Sequence, residues 1–275
     1  MPATLSHIHT FPLKSAAPLA HDCSSVEPRG LAGDRRWMVI DGDGKFVTGR
    51  QHARLTLVRA LPETAASGDA ALRLDAPGMP ALRVPAPRDG ARVQTAVWGA
   101  AVAPLLASED AHAWLGEFLG APCRLVYMDA NCVRTIRAMY DGRYGEQGDL
   151  VSLADAFPLL LVSQAALDHL NERLAQPVPM LRFRPNLVIA GTAPHAEDGW
   201  KRVRIGDCEF EMVKPCVRCV FTTVDFERGA RDPAGEPLRT LTTYRRTPDG
   251  VTFGQYVIPR RLGSVRVGDA VEAQA

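Results

Sequence analysis

The sequence predicts a β-rich α+β fold built from barrel or sandwich units with added helices. Three observations support this prediction. Short runs of alternating apolar and polar residues recur along the chain, helical periodicity is limited to a few stretches, and 23 Gly and 21 Pro provide frequent turns. Many short strands separated by such turns are typical of all-β units closed into barrels or packed as sandwiches.

The first half of the chain contains mostly strand patterns. A hairpin is predicted from the strands 36–40 and 45–48, which flank the turn sequence Asp-Gly-Asp-Gly. Further strands are predicted at 53–60, 72–74 and 82–84, with two more inside 92–106. Residues 108–119 predict a helix, because Ser108 is a suitable N-cap and the apolar side chains that follow share one face.

The second half begins with a predicted loop at 131–148, where Arg134, Arg137 and Arg143 lie among Gly and Tyr residues. A strand is then predicted at 158–162, and Ser163 is expected to start a helix whose leucines repeat at helical spacing. The remaining strands are predicted at 187–190, 203–205, 208–213, 219–224, 253–258 and 265–271.

Composition excludes several classes of protein. The 32 Lys and Arg nearly balance the 31 Asp and Glu, which argues against nucleic-acid or membrane-surface binding driven by net charge. No apolar run approaches the ~20 residues that span a bilayer, and residues 1–9 lack the features of a signal peptide. We therefore expect a cytoplasmic monomer whose six cysteines stay reduced.

Chemistry is most strongly indicated at residues 214–225, where Cys216 and Cys219 lie between Lys214 and Arg218 and a predicted strand. A zinc half-site lacks a second ligand pair, and a thioredoxin-like redox pair needs a helix after the motif. Two buried structural cysteines remain an alternative. The flanking cations favour a thiolate that binds metal or carries sulfur, since nearby positive charge stabilises the ionised form.

Basic residues elsewhere are candidates for binding an anion. Arg182 and Arg184 flank Phe183 and, in an extended segment, would share one face, while Lys14 and Ser15 follow a predicted strand. Arginine's planar fork suits phosphate or carboxylate groups. Solvated surface pairs, and a simple pairing of Asp34 with Arg35, remain alternatives.

Several fragments occur together in the order typical of one family. They are residues 11–15 (FPLKS), 33–40 (GDRRWMVI), 46–51 (FVTGRQ), 183–186 (FRPN), 216–225 (CVRCVFTTVD), 253–256 (FGQY) and 267–269 (VGD). The chain resembles MOSC proteins that carry a MOSC N-terminal β-barrel domain, and is similar to the mitochondrial amidoxime-reducing component and its bacterial relatives. The resemblance implies an N-terminal MOSC β-barrel-like domain at 1–126, followed by a MOSC β-barrel with flanking helices at 127–275.

The resemblance also implies a molybdenum cofactor, in which a pterin dithiolene with a phosphate group holds the metal (Mo-molybdopterin). Cys219 matches the thiolate ligand of molybdenum, and thiolates are soft donors that suit such a metal. Asp155 matches a cofactor-proximal position, although Ala156 and Phe157 replace the hydroxyl residues expected beside it. The other positions that match the cofactor cradle are Lys14, Ser15, Arg35, Arg184, Asn186 and Arg218.

The implied activity is the reduction of N-hydroxylated compounds such as amidoximes, hydroxylamines and N-hydroxylated bases. Cys219 and Arg218 would be its catalytic residues, with Arg218 stabilising negative charge. No cysteine follows Cys219, so we expect a separate flavin, haem or iron–sulfur donor protein. The alternative is a sulfur-transfer or cofactor-carrier protein that uses a cysteine persulfide, because MOSC domains also occur in a cofactor sulfurase.

Overall fold

The computed structural model describes residues 2–64, 68, 70–136, 140 and 142–274. Strands dominate this part of the chain, together with the helices α1 (Glu109–Leu119), α2 (Gln164–Asn171) and α3 (Leu238–Tyr244). The predicted β-rich α+β class is confirmed.

The strands are short and follow one another closely. In the first half they are β1 (Thr4–Thr10), β2 (Leu19–His21), β3 (Cys23–Glu27), β4 (Gly30–Leu31), β5 (Trp37–Asp41), β6 (Arg59–Thr64), β7 (Ala70–Asp75), β8 (Leu82–Pro85), β9 (Thr95–Val97), β10 (Ala100–Val102), β11 (Leu105–Leu106) and β12 (Cys123–Tyr127). In the second half they are β13 (Leu159–Ser163), β14 (Leu187–Ala190), β15 (Arg202–Ile205), β16 (Cys208–Val217), β17 (Val224–Asp225), β18 (Ala230–Arg231), β19 (Arg246–Thr247), β20 (Gly250–Arg261), β21 (Gly263–Arg266) and β22 (Val271–Gln274).

The largest sheet has the order β2-β1-β14-β13-β20-β16-β15-β22, and β19 also pairs with β20. Its one parallel pair among the described strands, β13 with β14, is connected through α2, whereas its other pairs are antiparallel. A single bridge between Thr4 and Ala270 joins β1 to the start of β22. The described ladders therefore curve back toward their beginning without forming a closed barrel.

The chain's first strands pack with its second half. β1 pairs with β14, and β3 pairs with β21, so residues from both ends of the chain bury one apolar core. Smaller sheets, β11-β12-β5 and β6-β7-β8, lie around a second core. Trp114, Leu115 and Phe118 of α1 are buried in that core, as the helical periodicity predicts.

Both predicted helices are present, but only one of them has the predicted side-chain hydrogen bond at its N-terminus. Ser163 accepts a hydrogen bond from the Ala166 amide at 3.2 Å and caps α2 as predicted. Ser108 occupies the position before α1, but its side chain makes no capping hydrogen bond. Gly120, with φ of 69°, ends α1 in the left-handed conformation that glycine adopts at low cost.

The strands predicted at 53–60 and 265–271 differ from those in the structure. Residues Ala53–Leu57 form a 3₁₀ helix and only Arg59 begins a strand, because the amides of Leu55 and Val58 bond back to nearby carbonyls. The predicted strand 265–271 is two strands, since a turn at Asp269 separates β21 from β22. Within the predicted loop 131–148, Arg137 lies outside the described residues.

Candidate functional site

A pocket lies where loops from both halves of the chain meet beside the largest sheet. All the site residues predicted from the sequence line it: Lys14, Ser15, Arg35, Asp155, Arg184, Asn186, Arg218 and Cys219. Arg50, Arg182 and Cys216 line the same pocket. Residues as distant in sequence as Lys14 and Cys219 thus line one pocket, and most of its charged residues are cations.

Cys219 presents its sulfur to this pocket from the end of β16. The thiol is half-buried, whereas Cys216 is buried at 2% exposure. The Arg50 Nε–H donates to Cys219 Sγ over 3.2 Å, which places a guanidinium directly against the sulfur. A thiolate is stabilised by such a donor, so the geometry suits a metal-binding or nucleophilic sulfur.

The cations next to the thiols in sequence do not contact Cys219. Arg218 donates through Nη1 to Cys216 Sγ over 2.8 Å, and through Nη2 to the Phe183 carbonyl over 2.8 Å. Lys214 pairs instead with Asp249 at 3.8 Å. The cation that donates to the Cys219 sulfur therefore comes from a distant loop, which carries Arg50.

Asp155 holds two of the pocket's cations. Its carboxylate accepts hydrogen bonds from Lys14 Nζ and, at 2.6 Å, from Arg50 Nη2. Burial lowers the pKa of Lys14 to about 8, although Asp155 opposes that shift. For Asp155 burial raises the pKa, but the charges and hydrogen bonds of Lys14 and Arg50 outweigh it and leave the pKa well below its usual range.

Asn186 also lines the pocket, and its side-chain amide makes three hydrogen bonds. Its amide oxygen accepts from Arg35 Nη1 over 3.0 Å and from the Leu160 amide over 3.2 Å, while its Nδ2 donates to the His9 carbonyl over 3.0 Å. Arg35 also pairs with Asp34, as the sequence alternative proposed, while still lining the pocket.

Arg184 is another buried cation of the site, with 8% of its surface exposed. Its backbone is left-handed, with φ of 55°, and its Nη1 donates to the Ala16 carbonyl over 2.7 Å. Burial, with repulsion from Arg35, lowers its pKa well below the ordinary value. Its Nη2 and the Nε of Arg218 are buried without a hydrogen-bond partner in the described part of the chain. Unpaired buried donors are costly, so both indicate that an acceptor completes the site.

Two local predictions around the pocket are wrong. Residues Met180–Phe183 form a 3₁₀ helix rather than an extended segment, yet Arg182 and Arg184 still line the same pocket. Residues Val220–Thr223 also form a 3₁₀ helix, because the Thr222 and Thr223 hydroxyls donate to the carbonyls three residues earlier. This single turn leads into the two-residue strand β17 and does not provide the α-helix of a thioredoxin-like site.

The donor set fits an anionic cofactor that supplies most of its own metal ligands. Lys14, Arg35, Arg50, Arg184 and Arg218 line the pocket, with Asp155 as its acidic lining residue among those described. Within the described ranges, no group of three or more His, Cys, Asp or Glu side chains is arranged to hold a metal ion. The described residues therefore do not complete the ligand set of a structural zinc site. One cysteine sulfur beside unpaired cationic donors instead suits a metal cofactor that carries a phosphate group.

Arg50 lines the pocket and contacts the Cys219 sulfur, but the sequence analysis did not single it out. It lies inside the fragment 46–51, which carries part of the family resemblance, but the fragment alone gives no partner for it. Contact with Cys219 depends on a tertiary approach over 169 positions. The match of residues 46–51 to the family pattern was the one sequence feature that could have pointed to Arg50.

Comparison with known proteins agrees with this architecture. The MOSC N-terminal beta barrel domain family matches residues 2–122, and the MOSC domain family matches residues 149–272. Mitochondrial amidoxime-reducing component 1 from Mus musculus is 35% identical over 98% of this chain and 81% of its own length. The chain belongs to the amidoxime-reducing component family of MOSC proteins. The domain matches leave the boundary predicted at 126/127 between them.

Other relatives of this amidoxime-reducing component homologue extend the comparison. The Homo sapiens mitochondrial amidoxime-reducing component 1 is 33% identical over 98% of this chain and 82% of its own length. Molybdenum cofactor sulfurase from Danio rerio is 32% identical over 92% of this chain, which corresponds to 32% of the sulfurase. Among the described residues, no helix is both long and apolar enough to cross a bilayer.

Proposed function

We propose that the protein binds a molybdenum cofactor in this pocket and reduces N-hydroxylated compounds with electrons from a separate donor protein. The observation that carries the proposal is that several cations line one pocket together with Cys219, while buried donors of Arg184 and Arg218 are left unpaired among the described residues. The names of the relatives add support, because they include amidoxime-reducing components and a molybdenum cofactor sulfurase.

In this proposal the chain's residues bind and orient the cofactor. Cys219 provides the thiolate ligand to molybdenum, and Arg184, Arg35 and Lys14 offer hydrogen-bond donors to the anionic pterin and its phosphate. Ser15 and Asn186 add neutral polar contacts, while Asp155 keeps Lys14 and Arg50 in place. When bound, the cofactor supplies two-electron redox chemistry at the metal.

The proposed reaction cleaves the N–O bond of the substrate. Two electrons and two protons enter, the nitrogen keeps its carbon substituent as an amidine, amine or base, and the oxygen leaves as water. Arg218 stabilises negative charge next to the thiolate ligand from its position beside Cys216. The electrons come from a flavin, haem or iron–sulfur protein.

Reduction of an amidoxime by a chemically reduced viologen dye tests the activity without a natural donor. We expect turnover by protein made in a host that synthesises the cofactor, and its loss in Cys219→Ser. Cys23→Ser is the matched control, because that cysteine is exposed and does not line the pocket. Equal rates in wild type and Cys219→Ser, or no turnover by wild-type protein that contains molybdenum, would refute the proposed reaction.

Sulfur transfer remains the second candidate function, favoured by the similarity to a molybdenum cofactor sulfurase. The half-exposed Cys219 would carry the persulfide, since Cys216 is buried. Incubation with a persulfide donor and mass spectrometry tests this function: a persulfide on Cys219 that passes to an acceptor supports it, and its absence removes it. The cytoplasmic location and the monomeric state stay predictions.

A further inference from the structure

Arg50 is held in a loop with a fixed shape. The Thr48 carbonyl accepts from the amides of Gln51 and His52 over 3.0 and 2.9 Å, and the Thr48 hydroxyl accepts from the Arg50 amide over 3.2 Å. Gln51 Oε1 accepts in turn from the Thr48 amide and hydroxyl. Such a closed set of local bonds leaves the backbone at Arg50 little freedom.

At Gly49 this loop lies in close contact with Phe221, in the turn that follows Cys219. A Cβ at Gly49 would lie 2.3 Å from Cε2 of Phe221, which is closer than real side chains come. The absence of a side chain therefore allows the loop and the turn to meet. This close approach puts the Arg50 guanidinium in range of the Cys219 sulfur.

The guanidinium is fixed on three sides. Nε donates to Cys219 Sγ over 3.2 Å, Nη2 donates to Asp155 Oδ2 over 2.6 Å, and the group lies 4.9 Å from the ring centre of Trp98. The side chain is 22% exposed. Asp155 and Trp98 thus orient Arg50, and Arg50 in turn orients the sulfur.

We propose that Arg50 is a positioning residue that holds the Cys219 sulfur in its ligating orientation and raises the reduction potential of bound molybdenum. A hydrogen bond to a ligating sulfur draws electron density away from the metal, which favours the reduced state. Removal of the donor should make the potential more negative. This inference rests on the proposed function.

The test measures molybdenum content, reduction potential and the electron paramagnetic resonance spectrum of the one-electron-reduced state in Arg50→Met and Arg50→Lys. We expect both variants to retain molybdenum, with a more negative potential and an altered spectrum. Arg50→Lys should lie between Arg50→Met and wild type, because lysine keeps the charge but not the forked geometry. Arg54→Met is the control, since Arg54 stacks on Phe118 at 4.8 Å in another core.

Gly49→Ala provides an independent test, because it removes no polar side chain. Its Cβ should push the loop and the Phe221 ring apart, loosen the contact of Arg50 with Cys219, and shift the potential in the same direction as Arg50→Met. If Arg50→Met and Gly49→Ala both have the potential and spectrum of wild type, the proposed role of Arg50 is wrong, while the proposed function still stands. Wild-type protein without molybdenum, after synthesis in a competent host, would overturn both.

Discussion

Arg218 Nη1 lies 2.8 Å from the sulfur of Cys216, although its neighbour in the sequence is Cys219. The same guanidinium bonds to the Phe183 carbonyl, and the Cys216 thiol also interacts with Tyr256. Burial, followed by the charge and hydrogen bond of Cys216, raises the pKa of Tyr256 well above its ordinary value. The paired thiols therefore have separate surroundings: Cys219 faces Arg50, and Cys216 anchors Arg218.

Cys216→Ala should weaken cofactor binding without abolishing it. Loss of the sulfur frees Arg218 from one of its two anchors, and loss of an outer contact of this kind typically lowers metal affinity about tenfold or more. Molybdenum retention during dialysis against apoprotein measures the effect. Cys208→Ala is matched for burial but lies in another core. Equal retention in the two variants would show that Cys216 has no role in the site.

Asp155→Asn should destabilise the cofactor-free protein. Without the carboxylate, Lys14, Arg50 and Arg134 are left as neighbouring cations. The carboxylate side chain is 36% exposed, so we expect a loss on the order of 1–2 kcal/mol after allowance for solvent screening. Urea unfolding measures it, with Asp43→Asn as the control, because Asp43 and Lys45 form a highly exposed pair. Unchanged stability in Asp155→Asn would contradict this role.

Gly254→Ala should strongly destabilise the protein at the centre of the largest sheet. Its φ is +76°, and an added Cβ would lie 2.6 Å from Cγ2 of Val162 and 2.8 Å from the Leu161 carbonyl. Left-handed strain of about 1–2 kcal/mol adds to the clash with backbone, which cannot move cheaply. Gly78→Ala is the control, because its φ of +79° is nearly equal and nothing lies within 4 Å. The difference between their unfolding free energies isolates the clash, and equal values would contradict it.

The apoprotein should lose stability as the pH falls from 6.5 toward 4. Burial, with smaller contributions from His7 and His21, lowers the pKa of His9 from 6.5 to about 4. The unfolded chain therefore binds a proton in this range that the folded chain does not, which favours unfolding by a few kcal/mol at most. In His9→Gln this acid-induced loss should shrink, whereas His52→Gln should behave as wild type. Identical pH profiles of unfolding free energy in all three proteins would refute the assignment.

The fold was largely predictable because strands and helices here follow local patterns. β7, β8, β13 and α1 form where the alternation or helical spacing predicts them. The wrong strand predictions fall in short apolar segments, where the backbone groups form hydrogen bonds with nearby residues instead of with another strand. Thr222 and Thr223 illustrate this, since their β-branched side chains suggest a strand while their hydroxyls stabilise a turn.

The candidate site was predictable only in part. Family fragments marked Lys14, Arg184 and Cys219, which the fold brings to one pocket. Spacing in the sequence assigned the wrong cations to the Cys219 sulfur, because partners across the pocket are determined by tertiary packing. Arg50 reaches Cys219 only because Gly49 allows the close approach of Phe221.

Elemental analysis shows whether Cys219 holds molybdenum in this pocket. It compares wild type with Cys219→Ala, both made in a host that synthesises the cofactor. We expect about one molybdenum atom per wild-type chain, held through a single thiolate ligand, and its loss in a Cys219→Ala protein that remains folded. No molybdenum in wild type, or equal amounts in the two proteins, would contradict it.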